Sequence, residues 1–242
     1  MIMENENRTV RLFEDDAYLQ SFEGEIVDVR GNEIALNQTC FYPGGGGQKG
    51  DTGRFLINGQ SVVVADTFSD QSHPLKIWHR CEDADLAVQP GVSVGGEIDW
   101  DRRYAHMKMH TCLHLLCSLL PVRVTGCGIS AEKARLDLDM PESTINKAEV
   151  TELLNKLIAA DSPVRQFRIT ENVEKTIEEF VRTAAVTPPV IDGGISMVEV
   201  EGVDLQPCGG THVSRLSEIG DVTCRKIEKK SRHNRRFTIA FS

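Results

Sequence analysis

The sequence predicts an α+β protein in two parts, a small antiparallel β-barrel over residues 1–98 and an α+β domain over residues 99–242. From Gly24 to Asp99 the chain is a series of short alternating runs punctuated by turn residues. Near Trp100 the hydrophobic period becomes helical, and beyond it strands and helices follow one another without the strict alternation of a parallel-sheet protein.

In the first part, GEIVDVR and EIALNQ flank Gly31-Asn32, and RFLI and SVVVADTF flank Asn58-Gly59, a hairpin dipeptide. LKIWH and VSVGGEID continue the rhythm, and several short strands with two hairpins suit a small barrel. DRRYAHMKMHTCLHLLCSLL then reads as a helix: Asp99 or Asp101 can cap it, no Gly or Pro interrupts it, and Pro121 stops it. Next come a strand ARLDLD, an amphipathic helix through STINKAEVTELLNKLIAA, a strand VRQFRI and a second helix ENVEKTIEEFVRTA. A strand ISMVEVEG and a closing pair, DVTCRKIEKK and RRFTIAFS, complete the chain.

With 40% hydrophobic and 26% charged residues, the chain has the profile of an ordinary soluble globular protein, which excludes wholesale disorder. No apolar run approaches the roughly 20 residues of a spanning helix, and the polar, acidic MIMENENRTVRLFEDD is unsuited to a leader. The expectation is a cytoplasmic protein with no membrane partner. Seven scattered cysteines fit reduced thiols better than a disulfide framework. The net charge of −9 is unevenly placed. Residues 225–236 hold seven cations (Arg225, Lys226, Lys229, Lys230, Arg232, Arg235, Arg236) and one acid, or +6, leaving 20 basic and 35 acidic residues, or −15, elsewhere. Such polarisation suits docking of a phosphate backbone in one orientation.

The stretch PCGGTH sets a thiol, Cys208, four residues from an imidazole, His212. In the long helix His110 and His114 are also four apart, so both project from one face. Two His and a Cys-x-x-x-His supply four ligands of the kind zinc takes. HTCLH lacks the Glu that follows the first His of zinc proteases, which argues against that chemistry. Four protein ligands make a closed structural site, whereas catalysis needs an open position. Either the metal is structural, or His212 is a displaceable ligand that doubles as a base.

TCFYPGGGGQKGDTG contains Gly45-x-Gly47-x-x-Gly50, formally a dinucleotide fingerprint, but turn and strand follow where a helix must receive the pyrophosphate. The phosphate-loop motif fails as well, because Gly50 follows Lys49 where Ser or Thr is required. A run of glycines is costly to order, so Gly45, Gly46 and Gly47 suggest close backbone approach to a ligand or to the second domain. A loop so built can lay Thr39 and Gln48 over a pocket floored by the metal.

Taken in order, TCFYPGGGGQ, HTCLHLL and PCGGTHV resemble the motifs of the free-standing alanyl-tRNA editing proteins, the AlaX family, and of the editing region of alanyl-tRNA synthetase. The resemblance runs from about Gly24 to Phe241 and includes RLDLD and KIEKKSRHNRR. It implies a β-barrel before an editing domain of the threonyl/alanyl-tRNA synthetase type, and a zinc ion held by His110, His114, Cys208 and His212. It further implies hydrolysis of the ester joining a wrong amino acid, typically serine and in some members glycine, to alanine tRNA, without ATP. In that setting Gln48, Thr39 and His212 are the catalytic candidates. Gly45, Gly46, Gly47, Thr125 and Ser130 are candidates for substrate contact, and Lys226, Lys229, Lys230, Arg232, Arg235 and Arg236 for tRNA. Cys127 stands in a pocket-wall stretch, VTGCGIS, that often contains Ser in relatives. The alternatives are a non-catalytic tRNA-binding module with structural zinc, a zinc hydrolase of small esters or amides, and a related editing activity on threonine tRNA. Nothing in the sequence sets the oligomeric state.

Overall fold

The computed structural model describes residues 8–82, 88–142, 145–180, 190–191 and 193–242. They fall into two compact units, one comprising residues up to 45 and 49–103, the other 46–48 and 104–242.

The first unit opens with β1 (Val10–Arg11) and one helical turn, α1 (Leu12–Asp15). Then follow β2 (Ser21–Arg30), β3 (Glu33–Leu36), β4 (Gln38–Thr39), β5 (Gly53–Ile57), β6 (Gln60–Ser69), β7 (Ile77–Cys81) and β8 (Ser93–Ile98). Six of them close as an antiparallel barrel in the order β2-β3-β7-β6-β5-β8, while β4 pairs in parallel with β1. Closure leaves those six strands no free edge. Asn58 (φ 50°) and Gly59 (φ 78°) form the positive-φ turn that matches strand twist between β5 and β6. Register shifts at Ile26/Asp28 in β2 and Val64/Asp66 in β6 bend these long strands around the barrel. The inward side chains Ile26, Ile34, Leu36, Phe41, Phe55, Val64 and Val94 make the core.

The fully buried guanidinium of this unit is paired. The buried Arg103 donates from Nη1 to Ala17 O (2.9 Å), from Nη2 to Cys40 O (2.6 Å) and from Nε to Asp51 Oδ2 (2.9 Å), and Nη2 also reaches that carboxylate. Burial pushes the Asp51 carboxyl up, and Arg103 opposes it.

The helix expected from Asp101 is α2 (Trp100–Leu119), which from residue 104 onward belongs to the second unit. Met107, Met109, Cys112, Leu113, Leu115 and Leu116 are buried around it, as are His106, His110, Thr111 and His114. A helix covered on all sides carries its polar residues into the interior, where each must find a partner.

After it come β9 (Val124–Ile129), β10 (Lys133–Asp139), α3 (Lys147–Ala159), β11 (Val164–Ile169), α4 (Val173–Phe180), β12 (Ile195–Val200), β13 (Asp204–Pro207), β14 (Val222–Lys229) and β15 (Asn234–Phe241). β14-β15-β10-β9 form one sheet and β11-β12-β13 another. α3 starts at a capping box, Asn146 with Glu149, and buries Val150, Leu154 and Ile158 at successive turns. It is tied to β14 where Asn155 Nδ2 donates to Val222 O (2.9 Å) and Thr151 Oγ1 accepts from Cys224 N (2.9 Å). The end of the helix expected over 171–184 beyond 180, and the start of the one expected over 143–160 at 143–144, lie outside the described residues. All seven cysteines are free. Among the described residues no helix is long and apolar enough to cross a membrane.

Candidate metal centre

α2 carries His110 and His114 on one face, and β13 delivers the chain into Cys208 just beyond its last residue, Pro207. Cys208 is fixed by its own N–H, which donates to Ser196 O (2.9 Å) in β12. The following turn brings His212 back to the same point. One ligand atom from each of His110, His114, Cys208 and His212 lies within 4.8 Å of every other. Cys208 Sγ is 3.4 Å from His110 Nε2 and 3.3 Å from His212 Nε2.

Each imidazole is aimed by its other nitrogen. His110 Nδ1 lies 2.9 Å from Gln48 Oε1. That oxygen also accepts the backbone N–H of Thr211 (3.3 Å), while Gln48 Nε2 donates to Thr211 Oγ1 (2.9 Å), which fixes the amide's orientation. His110 therefore carries its proton on Nδ1. His212 Nδ1 faces Thr111 Oγ1 at 3.1 Å. Thr111 gives its own proton to Met107 O (2.9 Å), so its oxygen accepts, and His212 too is protonated on Nδ1. His114 Nδ1 points at the buried Asp204, 3.6 Å from Oδ2. All three Nε2 atoms are thus free to share one ion with the thiol, the arrangement in which outer partners orient metal ligands.

The electrostatics agree. Burial alone would raise the Cys208 thiol, but His110 and His212 hold it well below its ordinary value, toward the thiolate a metal requires. Burial would also lower His114; Asp204 and Cys208 overcome it and hold the ring up at about 9, so this ring must release its Nε2 proton to take a metal. His212 is pushed down to about 3 by burial and by His110, so it is neutral. Three neutral-capable imidazoles and a thiolate, close enough to surround one ion, fit a borderline-soft divalent metal.

Two glycines make room. A Cβ on Gly210 would enter the His110 ring and stand 3.2 Å from Gln48 Oε1, so the turn approaches the helix only because residue 210 lacks a side chain. Gly47 (φ 86°) leaves space that the Cys127 thiol fills. Cys127 donates to Gly46 O (3.1 Å), Ile129 N donates to Gly47 O (2.8 Å), and Gln48 bridges Ile129 in parallel. Residues 46–48 therefore extend the sheet beside β9, and this anchors Gln48 against His110.

The remaining residues singled out from the sequence are placed as follows. Thr39 lies buried in the first unit, its hydroxyl 2.9 Å from His79 Nε2 and accepting from Phe41 N (3.1 Å). Gly45, in the same unit, accepts from Tyr42 Oη (3.0 Å). Ser130 donates to Lys133 O (2.9 Å) and closes the β9–β10 turn. Thr125 accepts from Asn234 Nδ2 (2.6 Å). Lys226 pairs with Glu228 (2.9 Å), Arg236 makes two 2.7 Å bonds to Asp137, and Arg235 donates to Pro141 O. Lys229, Lys230 and Arg232 are exposed. Thr111, Thr211 and Asp204, which steer the ligands, were not singled out; Thr111 directly after His110 and an acid four residues before Cys208 were the available signals.

Over 235 aligned residues the chain is 34% identical to the alanyl-tRNA editing protein AlaX-M of Saccharolobus solfataricus, an alignment covering 94% of this chain and 97% of that protein. The chain belongs to the AlaX family of alanyl-tRNA editing proteins. A second AlaX-M protein, from Methanosarcina acetivorans, is 31% identical over 233 residues, with 91% of this chain and 94% of that protein covered. The alanine–tRNA ligase of Metallosphaera sedula is 33% identical over 238 residues, which are 91% of this chain and 25% of the ligase. Residues 195–238 match the threonyl and alanyl tRNA synthetase second additional domain, and residues 3–102 match the class II (A) tRNA synthetases. In this AlaX-family chain the first match contains Cys208, His212 and the basic hairpin, and the second contains the barrel strands.

Proposed function

We propose that the chain hydrolyses in trans the ester of mischarged alanine tRNA, releasing serine and also glycine, and that Zn2+ is held by His110, His114, Cys208 and His212. The observation that carries this reading is the convergence of three oriented imidazoles and a low-pKa thiol in a chain of the AlaX family. The Sγ to Nε2 separations of 3.3 and 3.4 Å are near the roughly 3.5 Å edge of a tetrahedron built from zinc–sulfur and zinc–nitrogen bonds. When bound, zinc supplies Lewis acidity to an ester carbonyl or a water.

The chain's own groups do the rest. Gln48 acts through His110, holding its ring by Nδ1, rather than through the ester. His212, with Nδ1 committed to Thr111 and Nε2 turned to Cys208, serves as a ligand first. Thr125 accepts from Asn234 and keeps its hydroxyl proton to offer, whereas Ser130 has given its own to Lys133 O. A contact from Thr125 to the seryl hydroxyl would exclude alanine, because an alanyl ester leaves the hydroxyl unpaired. The exposed cations of the β14–β15 hairpin meet tRNA phosphates and give affinity without sequence information. Ester hydrolysis is downhill in water and consumes no ATP.

Hydrolysis of seryl-, glycyl- and alanyl-tRNA(Ala) side by side, with metal analysis of the same preparation, tests this. Serine and glycine are released and alanine is retained; equal rates for all three remove the proposed discrimination. The closed four-ligand set favours one second reading, a structural zinc in a tRNA-binding module. Single-turnover deacylation of mischarged alanine tRNA separates them, since the enzyme cleaves the ester and the module binds tRNA and leaves it intact; in the enzyme, Cys208→Ala that loses zinc at an unchanged deacylation rate makes the centre structural.

A further inference from the structure

The sheet β14-β15-β10-β9 has a buried face, with Ala134, Leu136, Leu138, Phe237 and Ile239, and a solvent face built of charges and glycines. On the solvent face one cross-strand row runs Gly128, Arg135, Thr238, Lys226. The next runs Gly126, Asp137, Arg236, Glu228. In the second row Arg236 neutralises Asp137 with two 2.7 Å bonds. Arg135 is different. It is exposed, and its guanidinium has no hydrogen bond or ion pair among the described residues. Its side chain lies across β9 at Gly128, where a Cβ would stand 2.7 Å from Arg135 Nε. Gly126 beside it likewise makes room for a β10 side chain, a Cβ there standing 3.3 Å from Asp137 Oδ2.

The row leads toward the metal centre. Beyond β9 the next backbone is Gly47–Gln48, and Gln48 holds His110. Neighbouring strands are about 4.8 Å apart, so the path from Lys226 to Gly128 is roughly 14 Å, room for a short single strand. These two rows contain no aromatic side chain on which a base could stack. What they offer is a planar, exposed and unpaired cation laid over a glycine of the edge strand, which suits a phosphate.

We propose that Arg135 holds a backbone phosphate of the single-stranded 3′ end of tRNA as it crosses this sheet face toward the four-ligand centre. The assignment rests on the reading that the chain handles tRNA, and it adds an anchor between the basic hairpin and the centre.

The test uses the full chain, uncharged tRNA(Ala), and the same tRNA trimmed of its 3′-terminal four nucleotides. Arg135→Ala weakens binding to intact tRNA on the order of tenfold at low salt and lowers the slope of log affinity against log salt by about 1. Arg135→Lys retains the slope, trimmed tRNA binds wild type and Arg135→Ala alike, and zinc content and thermal midpoint do not move. A wild-type slope for Arg135→Ala on intact tRNA, or an equal loss on trimmed tRNA, overturns the assignment. Deacylation of seryl-tRNA(Ala) is followed in parallel. Wild-type protein that binds tRNA and leaves the ester intact removes the hydrolase reading, while the binding arm still decides Arg135.

Discussion

The Thr111 hydroxyl stands 3.1 Å from His212 Nδ1 and passes its own proton to Met107 O one turn earlier in the same helix. One oxygen thereby fixes the tautomer of a ligand 101 residues away and also accepts the backbone N–H of Val213. Removing it leaves the imidazole free to turn and its N–H buried without an acceptor. Thr111→Val is expected to speed zinc release to a chelator by about 10- to 100-fold, with Thr111→Ser restoring most of the difference. A release rate equal to wild type would mean that the helix alone orients His212.

Gly210 packs its backbone against the His110 ring of α2. Its absent Cβ leaves the space that the His110 ring occupies, and the turn is tethered there, because Gly210 O is held by Gln166 Nε2 (2.8 Å). Gly210→Ala should therefore displace His110 and cut zinc affinity by at least about tenfold. Gly209→Ala is the control, since nothing lies within 4 Å of a Cβ at that position. Equal zinc affinity in the two variants would contradict the packing argument.

The barrel and the four clustered donor residues were legible because each has a local signature. Asn58-Gly59 announces its hairpin, and the His pair and Cys-x-x-x-His announce donors at fixed spacing. β9 was not legible as a strand. In VTGCGI, Gly126 and Gly128 occupy the outward positions where polar side chains would complete the alternation, and they are glycine because residues of β10 lie over them. β13 is four residues long and ends on a proline, too short for a period. The glycine loop read as an approach device, yet its effect on Gln48 depends on contacts 62 and 163 residues away, which no local pattern encodes.

His79 in β7 supplies a pH dependence confined to the barrel. Its ring is buried between Phe41 and Phe55, with Nε2 on Thr39 and Nδ1 on Ile34 O (3.1 Å). Burial pushes it down from 6.5 to about 4. The folded chain thus refuses a proton that the unfolded chain accepts, so stability is full above pH 6.5 and falls as pH drops toward 4. A shift of this size corresponds to about 3 kcal/mol. Urea midpoints across that window should fall more steeply for wild type than for His79→Gln. Parallel curves would show that the ring takes up its proton inside the barrel.

The basic hairpin divides into cations that hold the fold and cations that face solvent. Arg236 is bound to Asp137 and Arg235 to Pro141 O, linking β15 to β10 and the residues just after it. Lys229, Lys230 and Arg232 are exposed, and among the described residues their side chains make no hydrogen bond or ion pair. Replacing these three with Ala should reduce the slope of log affinity for tRNA(Ala) against log salt by about 2 to 3, close to one per phosphate contact, with the thermal midpoint unchanged. Arg236→Ala should do the reverse, lowering the midpoint while taking less than about 1 from the slope, because an arginine already paired with a carboxylate releases few counterions when it meets a phosphate. If instead Arg236→Ala takes the larger share of the slope, the Asp137 pair must open on binding and the strand, rather than the hairpin tip, is what grips the tRNA.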